Sequence, residues 1–140
     1  MDIVLYENTE HADWNEMREI YASVGWTKHT NERIKHVFEA SNVMAIAKAD
    51  GRIIGFGRAM SDGVFNAAIY DIVVHRDNQG MGVARAVMKN LLEQLKDVSC
   101  VHLLSTTGNE DFYRQFGMRK LKTGMGRYLN PALANQYLEE

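Results

Sequence analysis

Apolar positions along this chain fall into two rhythms. Trp14, Met17, Ile20, Tyr21 and Val24 recur every three to four residues, which predicts a helix from about Glu10 to Val24. Thr9 is placed to cap it and Gly25 to stop it. Ile34, Val37 and Phe38 repeat the spacing and predict a second helix, from a Thr30 cap to about Ala40. Strand-like segments follow at Val43–Ala49, Arg52–Ser61 and Val64–His75, with a further short one at Asp2–Tyr6. Asp50-Gly51 and Asp62-Gly63 separate them, and both read as two-residue hairpin turns. The middle of the chain is therefore expected to be an antiparallel meander.

Downstream, an apolar strand at Ile69–His75 enters a glycine-bearing loop, Arg76 to Ala84, which opens into a helix running to Leu95. Ala84, Val87, Met88, Leu91, Leu92 and Leu95 form its apolar stripe. Val98–Ser105 is the next strand, expected parallel to the strand before the loop because a helix intervenes. Asn109–Phe116 reads as a short helix ended by Gly117. Met118–Met125 and Arg127–Leu129 read as final strands, and Asn130-Pro131 as the start of a terminal helix over Ala132–Leu138. No repeat, linker or low-complexity stretch interrupts residues 1–140, so one mixed α/β domain is expected.

Composition narrows the class. The chain has 140 residues, 46% hydrophobic and 24% charged, with a net charge of −2. That balance lacks the basic field of a nonspecific nucleic-acid binder. No apolar run reaches the length of a membrane span and no leader pattern opens the chain, so no membrane partner and a cytoplasmic location are expected. Cys100 is the only cysteine; it has no intrachain partner and reads as a buried core residue rather than an acyl carrier. His29 and His36 could share a helix face, but no third ligand follows at a useful spacing, so no metal is expected.

The strand–loop–helix from Ile69 to Leu95 is an anion-binding device. The first turn of a helix carries backbone N–H groups without intrahelical acceptors, and the helix dipole adds positive charge there. Gly80 and Gly82 permit close backbone approach to a phosphate. A P-loop is excluded because Val83-Ala84, not Lys-Ser/Thr, follows Gly82. A dinucleotide fingerprint is disfavoured because Arg85 stands where a third glycine should pack. The meander upstream also conflicts with a doubly wound sheet.

Gln79-Gly80-Met81-Gly82-Val83-Ala84 instead resembles the R/Q-x-x-G-x-G/A signature of the GNAT superfamily of N-acetyltransferases. The block from Asn109 to Met118 resembles that family's downstream motif, an Asn, a Tyr one turn later and an aromatic-Gly-hydrophobic end. The resemblance runs from about Trp14 to Lys122. It implies a mostly antiparallel twisted sheet of about six to seven strands with helices on both faces, and a splayed parallel strand pair holding acetyl-coenzyme A. Ile72, Val73 and Val74 would then present backbone groups to the acyl-pantetheine. Gln79, Gly80, Met81, Gly82, Val83 and Ala84 would cradle the pyrophosphate, and Asn109 would hydrogen-bond the coenzyme unless it only caps its helix.

Acetyl transfer to an amine needs a neutral amine, an oriented thioester, an oxyanion donor and a proton for the leaving thiolate. Tyr113 matches the family tyrosine that faces the coenzyme sulfur, and a phenol is protonated at neutral pH; its alternative role is packing with Phe112 and Phe116. Asp71 and Tyr70 adjoin on the strand beside the thioester, and strand alternation sends them to opposite faces, so only one can line the acceptor site. Asp71 reads either as a helper in deprotonating the amine or as a structural carboxylate. His75 and His29 are further base candidates whose simpler account is an exposed loop position. The early helices and meander turns point to Trp26, Thr27, His29, Arg58, Met60 and Asp62 for the acceptor pocket, with Trp26 either an aromatic wall or a cap on the core. The expected partner is a small-molecule primary amine. The 118–140 tail is a candidate homodimer surface by analogy. A non-catalytic acyl-coenzyme A sensor is the alternative function, and a dinucleotide-dependent oxidoreductase a more distant one.

Overall fold

A computed structural model describes all of residues 1–140 and resolves them into two compact units, Met1–Leu104 and Ser105–Glu140. The first unit is built on one five-stranded sheet. Its strands are β1 (Val4–Tyr6), β2 (Val43–Ala49), β3 (Arg52–Ser61), β4 (Asn66–Val74) and β5 (Cys100–Leu103), and they lie in that spatial order. Pairing is antiparallel from β1 to β4 and parallel between β4 and β5. The helices of this unit are α1 (Trp14–Ser23), α2 (Asn31–Glu39) and α3 (Val83–Gln94). No helix of the chain is long and apolar enough to cross a membrane.

The local signals explain most of these elements. Thr30 caps α2 by accepting from the Arg33 amide. Asp50 and Gly51 both have positive φ, 52° and 77°, the conformation of a two-residue type I′ hairpin. Three expectations need correction. The α1 cap is Asp13 rather than Thr9: its carboxylate accepts from the Glu16 amide, so the helix starts at Trp14. Asp62-Gly63 is not a two-residue turn. The Asp62 carboxylate instead gathers the amides of Val64, Phe65 and Asn66, and β4 begins only at Asn66. The sheet has five strands, not six or seven, because residues 118–129 form none. That stretch is almost wholly exposed and carries Gly124, Gly126 and four cationic side chains, so it has no half-buried face to build a strand on.

The two faces of the sheet are packed differently. On one face, Phe56 meets Tyr21 of α1 and Phe38 of α2, at ring separations of 5.0 and 5.4 Å. Met17, Ile20, Ile34, Ile46 and Val73 complete this core. On the other face β3 offers glycines. A Cβ at Gly55 would stand 2.9 Å from Val83, and one at Gly57 would stand 2.9 Å from Val87 and 3.0 Å from Leu91. These absent side chains let α3 lie directly on the strand and bring its N-terminus down beside β4. Val83, rather than the expected Ala84, is the first buried position of its stripe. Gly57→Ala is expected to destabilise the fold by about 1–3 kcal/mol, the usual cost of overpacking, as a lower denaturant midpoint with an unchanged slope.

The second unit contains α4 (Glu110–Arg114) and α5 (Pro131–Tyr137). Asn130 caps α5 through the Ala132 amide, with Pro131 in its first turn. Phe112 packs edge-on against both Tyr113 and Phe116.

Candidate active site

β4 pairs with β5 from Asn66–Cys100 to Ile69–Leu103, and the parallel pairing stops there. From Tyr70 to Val74, β4 has no strand partner on that side. At the far end of this stretch the chain makes a 3₁₀ turn over Arg76–Asn78 and enters α3 through Gly80 and Gly82, whose φ values are +79° and +83°. The N-cap of α3 is Gly82, which offers no side-chain cap, and the first turn holds no acidic residue. The first helical amide to find an acceptor within the helix is that of Ala86, on the Gly82 carbonyl. The leading amides thus face an approach free of a capping side chain or carboxylate, which suits an anion. Gln79 fastens the loop back to the strand: its Nε2 donates to the Val74 carbonyl at 3.2 Å. These residues fit a pyrophosphate at α3 and an extended arm along β4.

The second feature is on the sheet face that packs against α1. Between β3 and β4, Phe56 pairs with Val73 and Arg58 with Tyr70, so Gly57 alone opposes Asp71 and Ile72. This is a β-bulge, and its left-handed residue is Asp71, with φ +53°. The expectation that Tyr70 and Asp71 point to opposite faces is therefore corrected. Tyr70 shares a face with Arg58, whose guanidinium lies 5.1 Å from the Tyr70 ring centroid. Asp71 reaches the same Arg58, and Oδ2 accepts from its Nε at 2.9 Å and from the Tyr21 hydroxyl at 3.2 Å. The extra residue breaks the alternation and turns both side chains toward α1.

Arg58 is anchored further. Its Nη1 donates to the Ser41 hydroxyl at 3.1 Å, and Ser41, the one buried polar residue of the core, donates to the Val37 carbonyl at 2.6 Å. Arg58 and Asp71 are both mostly enclosed, with side-chain exposures of 14% and 21%. Burial, then the Asp71 charge and its hydrogen bond, hold the Tyr21 phenol far above the ordinary tyrosine range, although Arg58 opposes this. Tyr21 is thus a permanent donor to Asp71.

The Tyr21 ring is also the inner member of an aromatic stack. His29 lies 4.3 Å from it and 11° off parallel, and Trp26 lies 5.7 Å from both. His29 is consequently not an exposed loop histidine; its Nδ1 is buried without a hydrogen-bond partner. Trp26, 39% exposed, is the outer wall of that stack and so joins the two roles open to it. His75 has a local task, as its Nδ1 accepts from the Asp77 amide and caps the 3₁₀ turn.

The first unit thus brings together Trp26, His29, Arg58, Tyr70 and Asp71, together with Tyr21 and Ser41, which sequence reasoning missed. Tyr21 can be found by one signal: a hydroxyl within an apolar helix stripe and a lone carboxylate within the apolar run Ile69–Val74 each require a buried partner; Ser41, beyond the end of α2, carries no such signal. Thr27 and Met60 are exposed. Asp62 stays in its turn, where the amides of Val64, Asn66 and Phe65 lower its carboxyl below the usual range. A carboxyl so lowered contributes stability above the ordinary carboxylate range, and loses it as pH falls through its own value. Asp62→Ala is expected to lower the thermal midpoint at pH 7, with the difference from wild type closing as pH falls below the lowered value of the Asp62 carboxyl.

Within the second unit, Tyr113 is half-buried, and burial raises its phenol above the ordinary value. Asn109 precedes α4 without capping it; its Nδ2 donates to the Thr106 hydroxyl at 2.5 Å. Cys100, expected in the core, is exposed because β5 is an edge strand with its alternate residues outside. No group of three or more His, Cys, Asp or Glu is placed to hold a metal ion.

The sequence profile of the Acetyltransferase (GNAT) family matches residues 9–118. The chain belongs to the GNAT acetyltransferase family. It is 35% identical to an uncharacterized N-acetyltransferase, ycf52, of Porphyra purpurea over 128 residues, 87% of this chain and 74% of that protein. It is 37% identical over 111 residues to a chloroplastic serotonin N-acetyltransferase of Oryza sativa subsp. japonica, 75% of this chain and 56% of that one. A GNAT-family acetyltransferase of Streptococcus pneumoniae TIGR4 shares the fold with a TM-score of 0.78 at 24% identity, over 93% of this chain and 99% of the other. Glucosamine-6-phosphate N-acetyltransferase of Arabidopsis thaliana does so with a TM-score of 0.72 at 19% identity, over 93% and 100%. Membership makes the protein an acyltransferase, and the largely antiparallel sheet is not the doubly wound sheet of a dinucleotide enzyme.

Proposed function

We propose that this GNAT protein transfers the acetyl group of acetyl-coenzyme A directly to the primary amine of a small molecule, within a ternary complex. The observation that carries the reading is the juxtaposition in one unit of the bare α3 N-terminus with the stretch of β4 that loses its partner after Ile69. Gly80, Met81, Gly82, Val83 and Ala84 hold the pyrophosphate through main-chain amides, with Gln79 bracing the loop. Ile72, Val73 and Val74 align the pantetheine arm, and Asn109 adds a hydrogen bond to the coenzyme.

The amine nitrogen forms a bond to the thioester carbonyl carbon, the C–S bond breaks, and the sulfur takes a proton from the Tyr113 hydroxyl. The amine gives up its own proton to water at the site. Asp71 already receives two donors, which favours its structural role over proton abstraction. The acceptor lies against the α1 face, where Trp26 and Tyr70 offer exposed rings and His29, Thr27 and Arg58 line the approach. The relatives named for serotonin and for glucosamine 6-phosphate supply two members of an amine panel.

Thiol release from acetyl-coenzyme A is the test, measured against that panel with calorimetry of the coenzyme alone. Amine-dependent release with saturable coenzyme binding is the expected result. If no amine raises release above hydrolysis and no coenzyme heat is seen, the reading fails. Tight binding without turnover on any amine would favour a coenzyme-sensing module.

A further inference from the structure

The Asp71 carboxylate ties together two elements, α1 through Tyr21 and β3 through Arg58, and it sits on the residue that makes the bulge. Few L-residues adopt φ near +53°; aspartate and asparagine do so most readily, since a short polar side chain can bond locally. Here the carboxylate is gripped from two elements, by Tyr21 of α1 and by Arg58 of β3. Arg58 is itself fixed to Ser41, and the Tyr21 ring is held between His29 and Phe56. The bulge shifts Tyr70 by one position relative to Val73 against β3. Everything from Tyr70 to Val74, the stretch without a partner on the β5 side, takes its direction from that shift.

We propose that Asp71 is a positioning residue: the Tyr21–Arg58 clamp on its carboxylate locks residue 71 in the left-handed region and thereby sets the bulge that aims the Ile72–Val74 backbone. Its effect on turnover rests on the acetyl-transfer reading; its effect on the bulge does not. The carboxylate acts on the chemistry through the main chain, and its negative charge is consumed by Arg58 rather than presented to the amine. The titratable and charged groups facing it are Tyr21 and Arg58.

Three substitutions separate the side chain from the backbone. Asp71→Asn keeps an acceptor and tolerates positive φ while losing the charge. Asp71→Gly keeps the conformation but loses the clamp. Asp71→Ala loses both, and the left-handed cost alone shifts the population of the bulge by about tenfold. The main-chain readout is amide hydrogen exchange and the amide NMR shift at Ile72, measured on the full chain without ligand. Exchange at Ile72 is expected to rise in the order Asn, Gly, Ala, with Ala about tenfold faster than Gly. Tyr21→Phe, which keeps the ring stack, is expected to fall between wild type and Gly.

With acetyl-coenzyme A and the best amine of the panel, kcat is expected to fall in the same order. Asn should lie about threefold below wild type and Ala about tenfold below Gly. The pH profile of kcat in Asn should keep its wild-type shape. Equal loss of kcat in all three folded variants, with the low-pH limb of the profile abolished in Asn, would show that the carboxylate itself takes the proton and overturn the proposal. So would Ile72 exchange that does not distinguish Ala from Gly. A wild-type protein that neither binds the coenzyme nor transfers acetyl would instead overturn the acetyl-transfer reading, leaving the exchange order to judge the bulge.

Discussion

Replacing Tyr113 with phenylalanine is expected to lower kcat by about a hundredfold or more, the range for loss of a positioned general acid, with coenzyme affinity nearly unchanged. Expulsion of a thiolate needs a proton at sulfur as the C–S bond breaks. A phenol whose ionisation is pushed up by burial stays in its donor form across the neutral range. The variant loses one oxygen and keeps the ring that packs edge-on to Phe112, so the fold is expected to survive. The split between kcat and affinity is the discriminating feature. A tyrosine that serves only to pack would give a variant with wild-type kcat at every pH, and that outcome removes Tyr113 from the acid role. A joint loss of coenzyme affinity and kcat would assign the hydroxyl to binding. Calorimetry and steady-state rates on the same preparation decide between them.

What was legible in the sequence was whatever depended on neighbours within a turn or two. The Thr30 cap, the Asp50-Gly51 hairpin, the Asn130-Pro131 start and the strand–glycine–helix unit are local, and each appears where its residues place it. Asp62-Gly63 looks like Asp50-Gly51 in sequence, but Asp62 uses its carboxylate on three amides and holds a wider turn. Asp13 outcompeted Thr9 as a cap by the same type of bond, four residues on. Charged and glycine-rich residues 118–129 carry scattered apolar side chains, which mimic strand alternation without providing a face to bury.

The candidate site was legible by residue type but not by arrangement. Strand alternation is a rule of even spacing, and one left-handed residue at Asp71 reverses it for every position before it. Nothing in the letters around Ile69–Val74 marks the bulge except a carboxylate in an apolar run. Its partners lie 13 and 50 residues away in the chain, at Arg58 and Tyr21. Gly55 and Gly57 were equally silent. They read as ordinary strand residues until α3 is seen resting on them, and they connect fold to function by letting the helix N-terminus reach the open part of β4.

That helix N-terminus supports the second large prediction. Ala84→Glu is expected to weaken acetyl-coenzyme A binding by about ten- to a hundredfold, the effect of one added charge near an anion in a partly screened site. Ala84 lies in the first turn of α3, which has no acidic residue and a glycine for its N-cap. A carboxylate there interacts favourably with the helix dipole, by about 0.3–1 kcal/mol, so the folded protein should be as stable as wild type or slightly more so. The two effects have opposite signs. A misfolded or loosened variant would lose stability and affinity together, whereas occupation of an anion site by a fixed negative charge loses affinity alone. Ala84→Gln supplies the neutral control of the same length and is expected to bind within about threefold of wild type. Raising the salt concentration should narrow the gap between the Glu and Gln variants, because screening weakens a charge–charge term. Equal coenzyme affinity for both at low salt would mean that the pyrophosphate does not sit at this turn, and the cradle at Gln79–Ala84 would have to be abandoned.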